Sequence, residues 1–100
     1  MHRITIEYAG PTDPDAFDAH YREVHVPLAL AVPGLVRFTQ SRPRGLGGDA
    51  PYLVAELWFD DADALKAALK SSEMAAAAAD AQGFDVASTT MFTGEVVEVS

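Results

Sequence analysis

The sequence predicts an α+β fold of the ferredoxin-like βαββαβ type, with a four-stranded antiparallel sheet and its helices on one face, in one domain over residues 1–100. Three observations carry this prediction. The hydrophobic spacing passes from a period of two to about 3.6 and back, in the order strand, helix, strand, strand, helix, strand. Proline and glycine clusters punctuate the early changes. A chain of 100 residues, in which 18 of the 49% hydrophobic positions are alanine, has room for one modest core only.

Ile4, Ile6 and Tyr8 alternate with Arg3, Thr5 and Glu7, the pattern of a first strand. Gly10-Pro11-Thr12-Asp13-Pro14 breaks it, with Thr12 or Asp13 as an N-cap and Pro14 in a first-turn position that tolerates proline. From Asp15 to about Ala31 the period is helical. Phe17, Tyr21, Val24, Leu28 and Ala31 fall within about 80° of one another and form the apolar stripe. Pro33-Gly34 ends that helix. Leu35 to Arg42 reads as the second strand, with Val36 and Phe38 on one face and Arg37 and Thr39 on the other. Arg42 to Pro51 is a glycine-rich hairpin connection, and its G-x-G-G lacks the following helix that a phosphate loop needs.

Tyr52 to Phe59 is the clearest strand: Leu53, Ala55, Leu57 and Phe59 share one face, and Tyr52, Val54, Glu56 and Trp58 the other. Asp60-Asp61-Ala62-Asp63 caps a second helix that runs to about Lys70. Ser71-Ser72-Glu73 starts an alanine-rich helical segment to Ala81, closed by Gly83. Val86 to Val99 returns to strand composition.

Helices on one face leave the other sheet face bare, where Tyr52, Val54 and Trp58 stand beside Glu7, Arg37, Thr39 and Glu56. A monomer that shows such a patch to water is prone to associate, so a homodimer closed sheet to sheet is expected. The formal net charge of −8 opposes phosphate backbones and anionic membranes, which argues against nucleic acid and lipid as partners. With no cysteine there is no disulfide framework and no thiolate chemistry. No apolar run reaches membrane-spanning length and no signal-peptide pattern opens the chain, so a cytoplasmic protein is expected.

The chemistry-bearing residues concentrate in the first helix. On a regular helix His25 lies at one shoulder of the apolar stripe and His20 at the other, about 140° apart. The spacing of five does not suit a shared metal ion, and no metal site is expected. Pro27 removes one backbone donor and is expected to bend the helix just past His25, toward the space between helix and sheet. An imidazole at the edge of an apolar pocket can stay neutral and exchange a proton near neutral pH. Tyr8, Phe38 and Phe59 face the same space on the expected strands. No nucleophile-elbow sequence is present. The pair Asp60-Asp61 is explained by helix capping, and Ala75 to Ala79 by helix packing.

The segment from Phe17 through Tyr21, His25, Pro27 and Leu28, followed by Pro33-Gly34-Leu35, resembles the EthD family, whose pattern is F-x-x-x-[YW]-x-x-x-H-x-P-L and then P-G-L/I. The resemblance implies the dimeric α/β-barrel superfamily, in which two ferredoxin-like sheets pair. Relatives include cofactor-independent monooxygenases, small isomerases and cyclases of aromatic or polyketide metabolism, and haem enzymes. The family takes its name from a protein required for ether degradation, and its members are commonly described as oxidoreductases. In the resemblance His25 matches the motif histidine and Tyr21 the motif aromatic. No nucleotide fingerprint or haem-ligation signature accompanies them, so no cofactor is expected.

The resulting expectation is a small oxidoreductase of monooxygenase type acting on a hydrophobic, aromatic or polyketide-like compound. His25 is the expected general acid or base, assisted by Tyr21. Tyr8, Phe17, Leu28, Phe38, Phe59 and Phe92 are the expected substrate contacts. The alternatives are an isomerase or cyclase on the same fold, or a non-catalytic ligand-binding or accessory protein.

Overall fold

The computed structural model describes all 100 residues. It comprises β1 (His2–Pro11), α1 (Pro14–His20), a π-helical turn (Tyr21–His25), α2 (Val26–Leu30), β2 (Leu35–Ser41), β3 (Leu53–Phe59), α3 (Ala62–Leu69), α4 (Ser72–Gln82) and β4 (Val86–Glu95). The strands form one antiparallel sheet in the order β2-β3-β1-β4, the ferredoxin-like topology. Along β3 burial alternates residue by residue, with Leu53, Ala55, Leu57 and Phe59 inward. One core cluster joins Ile4, Leu57 and Phe59 to Val32, Leu65 and Ala68 of the helical layer. A second joins Tyr8 and Leu53 to Phe17 and Tyr21.

Helix starts follow the caps. Asp13 accepts from the Ala16 amide at 3.1 Å, Asp61 from Ala64 at 2.8 Å and Ser71 from Met74 at 3.0 Å. Each side-chain oxygen satisfies one amide that the first helical turn leaves free.

Four local features depart from the periodicity. First, the long helix is not regular. The Val26 amide bonds back to the Tyr21 carbonyl, five residues earlier, so one wide turn sits a residue before Pro27 instead of a bend after His25. In a regular helix every fourth residue drifts about 40° around the axis. The wide turn takes up that drift, and the buried row is Phe17, Tyr21, His25 and Ala29. Val24 turns out to solvent at 42% exposure, Ala31 is exposed and Leu28 is only half-buried, against the stripe expected from a uniform period.

Second, the register of β2 shifts between Leu35 and Arg37, so Leu35 and Phe38 share the inner face and Val36 is left outside at 47% exposure. Third, Tyr52 lies just before β3 and does not join the bare face. Its hydroxyl donates to Asp18 of α1 at 3.0 Å, under an Arg42 guanidinium that also reaches Asp18, at 2.7 Å. This cluster ties the glycine-rich hairpin to the first helix. Fourth, β1 does not stop at Gly10. It passes through that glycine at φ +62° and continues to Pro11 opposite Val86. A Cβ at Gly10 would stand 2.8 Å from the Ala87 Cβ, so glycine is required there twice over. At the other end β4 stops at Glu95, with one further backbone bond from Val96 to Met1 at 2.9 Å, short of the expected Val99.

The sheet face away from the helices carries Trp58 between the guanidinium groups of Arg3 and Arg37, 5.2 and 5.0 Å from the ring centre. Arg3 also pairs with Glu56 at 3.1 Å. Phe92 pairs with Thr5 in register and lies on this outer face at 47% exposure.

Candidate functional site

Side-chain truncation opens a cavity in the middle of the sandwich. Ala55 of β3, Ala29 of α2 and Ala77, Ala78 and Ala81 of α4 leave about 60 Å³ between helices and sheet. Apart from His25 and Thr89 its other walls are apolar or aromatic, and they include Tyr8, Tyr21, Phe38, Leu57, Met74 and Met91. His25 is the only imidazole among the lining residues.

His25 is 5% exposed and belongs to the row that the wide turn swings inward. Its Nδ1 lies 2.9 Å from Asp80 Oδ2, and its ring lies 5.1 Å from Tyr21 and 5.0 Å from Phe84, centre to centre. A carboxylate only accepts, so Nδ1 carries the proton and Nε2 remains the free acceptor of the neutral ring. His20 Nε2 approaches the other Asp80 oxygen, Oδ1, at 2.8 Å. The two histidines converge on one carboxylate from either end of the π-turn, whereas a regular helix would hold them about 140° apart.

Burial is the main influence on His25 and holds its pKa below the ordinary 6.5, with the Asp80 carboxylate pulling against it. For Asp80, burial alone would push the pKa up. The hydrogen bonds from His20 and His25 outweigh it and hold the carboxyl below its ordinary range. Burial pushes Tyr8 up to about 12 and Tyr21 higher still, so both phenols stay protonated donors at neutral pH. The Tyr21 hydroxyl is sealed from solvent and has no partner in the chain.

These shifts determine how stability depends on pH. Folding buries a neutral His25 that the unfolded chain would protonate, so its contribution is lost as pH falls through the unfolded value near 6.5. Asp80 contributes stability above its unfolded value, and this is lost as pH falls further, through its depressed folded value. Tm measured from pH 8 downward should fall in two stages. In His25→Gln the stage that begins below pH 6.5 should be reduced.

Of the residues expected from sequence, the structure brings Tyr8, Tyr21, His25 and Phe38 together around the cavity. Phe17 stacks on Tyr21 at 5.7 Å and lines a separate outer cleft of about 300 Å³, together with His20, Asp80 and Phe84. Three expected contacts lie elsewhere. Leu28 leaves the buried row because of the π-turn. Phe59 faces the helices but is sealed at 0% exposure in the core beside Leu65 and Ala68, beyond the cavity. Phe92 is on the opposite sheet face, because Met91 and Thr93, not Phe92, alternate inward opposite Ile6 and Ile4.

Two residues of the site lie outside those expected from sequence. Phe84 touches the rings of Tyr8, Phe17, Tyr21 and His25 and lines the outer cleft. Asp80 carried a legible signal. It is an acid in the last turn of an alanine-rich helix, where the helix dipole disfavours negative charge. A residue placed against that preference has a partner elsewhere, and here it has two.

The EthD domain profile matches residues 9–86. An uncharacterized 11.0 kDa protein of Rhodococcus erythropolis, from the thcB-thcC intergenic region, is 41% identical over 98 residues, 95% of each chain. The crystal structure of an ethyl tert-butyl ether d (ethd) family protein from Bacillus halodurans superposes with a TM-score of 0.87 at 33% identity, over 97% of this chain and 99% of that one. Two others share the fold at lower identity. A dimeric ferredoxin-like protein of unknown function from Thermobifida fusca has a TM-score of 0.73 at 16% identity, covering 95% of this chain and 90% of its own. SnoaB of Streptomyces nogalater, a cofactor-independent oxygenase, has a TM-score of 0.70 at 18% identity, covering 98% of this chain and 94% of its own. No helix is long and apolar enough to cross a membrane. Motif, sheet order and overall superposition agree, and the chain belongs to the EthD domain family.

Proposed function

We propose that this protein is a small enzyme of cofactor-independent oxygenase type, in which His25 removes a proton from a small hydrophobic compound held between helices and sheet. The observation that carries the reading is the His25 ring, buried at the cavity wall with Nδ1 held by Asp80 and Nε2 free. A phenol or an acidified C–H presented to Nε2 loses its proton to the imidazole, and the resulting anion is the species that dioxygen oxidises. The same deprotonation begins an isomerisation, which is the alternative reaction on this geometry. Tyr8 and Tyr21 supply phenols that stay protonated beside the forming anion. SnoaB, described as a cofactor-independent oxygenase, has the same fold.

The cavity also limits the substrate. At about 60 Å³ it is well below the ~150 Å³ that accommodates benzene, so an aromatic ring enters only as the flexible Met74 and Met91 side chains give way. The outer sheet face, with Trp58 and the half-exposed Phe92, is the surface for a second copy in a homodimer, and the Thermobifida fusca protein of the same fold is described as dimeric. Light scattering should report twice the 10.7 kDa chain mass.

The test is a panel of phenols and hydroxyquinones without added cofactor, followed by dioxygen uptake, product analysis and NMR. At least one compound should saturably shift the His25 and Tyr8 signals and be consumed with dioxygen. Ala78→Phe, which plugs the cavity from an exposed helix position, should abolish both effects. Saturable binding without product would leave a carrier or accessory protein. Shifts confined to the outer cleft, or unaffected by the plug, would end the reading.

A further inference from the structure

We propose that His20 is a positioning residue for His25: the two rings share a single positive charge on Asp80, and a charge resident on His20 adds to burial in keeping His25 neutral. This rests on the assignment of His25 as the base. The geometry is the argument. One carboxylate accepts from two imidazoles, His20 Nε2 at 2.8 Å on Oδ1 and His25 Nδ1 at 2.9 Å on Oδ2. One negative charge balances one imidazolium. A second would be a like charge one carboxyl group away, in a site where the Asp80 side chain is only 15% exposed.

The two rings are unequal in their access to water. The His20 side chain is 46% exposed in the outer cleft and the His25 side chain 6% exposed at the inner cavity. Charge is less costly on the exposed ring, so His20 holds it and His25 waits as a neutral base. When His25 Nε2 takes a proton from substrate, the cluster would carry two imidazolium ions. His20 then releases its Nδ1 proton to water and keeps the Nε2–H on Asp80. The proton count of the cluster is unchanged, and the buried side never holds an unbalanced charge.

Few other charges bear on the pair. On the α1 side Asp13 lines the outer cleft, and beyond α4 Asp85 does. Both are acids, and both favour charge on His20. From the sheet only Tyr8 faces the cluster, and it is uncharged at neutral pH. Arg22 turns to Glu23 at 3.4 Å and is not part of it. Phe84 separates the two rings from each other's solvent, touching His20 at 5.9 Å and His25 at 5.0 Å, ring centre to ring centre.

The experiment is an NMR pH titration of the histidine ring signals, with no substrate present. His2, which sits beside Glu95 in a different part of the fold, serves as the internal control. In the wild type the His25 curve should be broadened or biphasic, because a coupled pair does not titrate as one isolated group. His20→Gln keeps a donor to Asp80 but cannot hold charge. It should raise the His25 midpoint by about one pH unit and make its curve simple. In an Asp80→Asn background, the same His20 substitution should move His25 hardly at all.

A simple one-site His25 curve in the wild type, or a midpoint that moves less than about 0.2 unit in folded His20→Gln, overturns the proposal. Neither result bears on whether His25 acts as the base, which is read separately by loss of turnover in His25→Gln. If His20→Gln fails to fold, the shape of the wild-type curve still decides.

Discussion

His25→Gln is expected to lower turnover by about 10²–10⁴-fold, the usual contribution of a placed general base, while the protein stays folded. Glutamine keeps a donor within reach of Asp80 and nearly fills the imidazole volume, so the carboxylate is not left as an unpaired buried charge. The loss should fall on kcat, with ligand binding largely retained, because most of the cavity wall is made by other side chains. The pH profile carries a second signature. Burial holds the His25 pKa below 6.5, so the neutral base persists to more acidic pH than a free imidazole would. Wild-type activity should therefore decline only below pH 6.5, and the residual activity of the variant should not follow that limb. A variant that keeps activity within a few-fold of wild type would remove His25 from the chemistry.

Phe59→Ala is expected to cost about 3–5 kcal/mol of stability. The Phe59 ring is 0% exposed and packs with Ile4, Val32, Leu57, Leu65 and Ala68 where β3 meets α3. Removal of the ring leaves a hole enclosed by the sheet and two helical segments. Against a total stability of ~5–15 kcal/mol for a small domain this is a large fraction. Urea denaturation should show a lower midpoint with an unchanged slope. Substrate selectivity of the folded fraction should be unchanged, because Phe59 does not border the cavity. A selectivity change with little loss of stability would return Phe59 to the substrate-contact role that its face alone suggests.

Phe59 also illustrates where sequence reasoning stops. Alternation along Tyr52–Phe59 assigns its face correctly, and face is all that a period of two encodes. Whether an inward residue touches a cavity or a helix depends on what stands opposite, which is a tertiary fact. Phe92 fails one step earlier. Strand composition in Val86–Val99 lacks a clear alternation, so only pairing with β1 shows that Met91 is inward and Phe92 outward.

The convergence of His20 and His25 was illegible for a third reason. Periodicity assumes a constant turn, and the π-turn at Tyr21–His25 inserts a residue that moves every later side chain. Pro27 marks the disturbed region but not its direction. Asp80, by contrast, could have been found, since a lone acid against the helix dipole needs an explanation.

The element order, the N-caps at Asp13, Asp61 and Ser71, the inner face of β3 and the motif around His25 follow from the residues alone, because each depends on neighbours within about one turn or two strand positions. The phase of the helix after Tyr21, the joining of two histidines by an aspartate 55 residues away from one of them, and the hollow left where alanines of three elements meet were decided only by the packed structure. Each of these depends on long-range packing, which selects one arrangement among several that the local spacing permits.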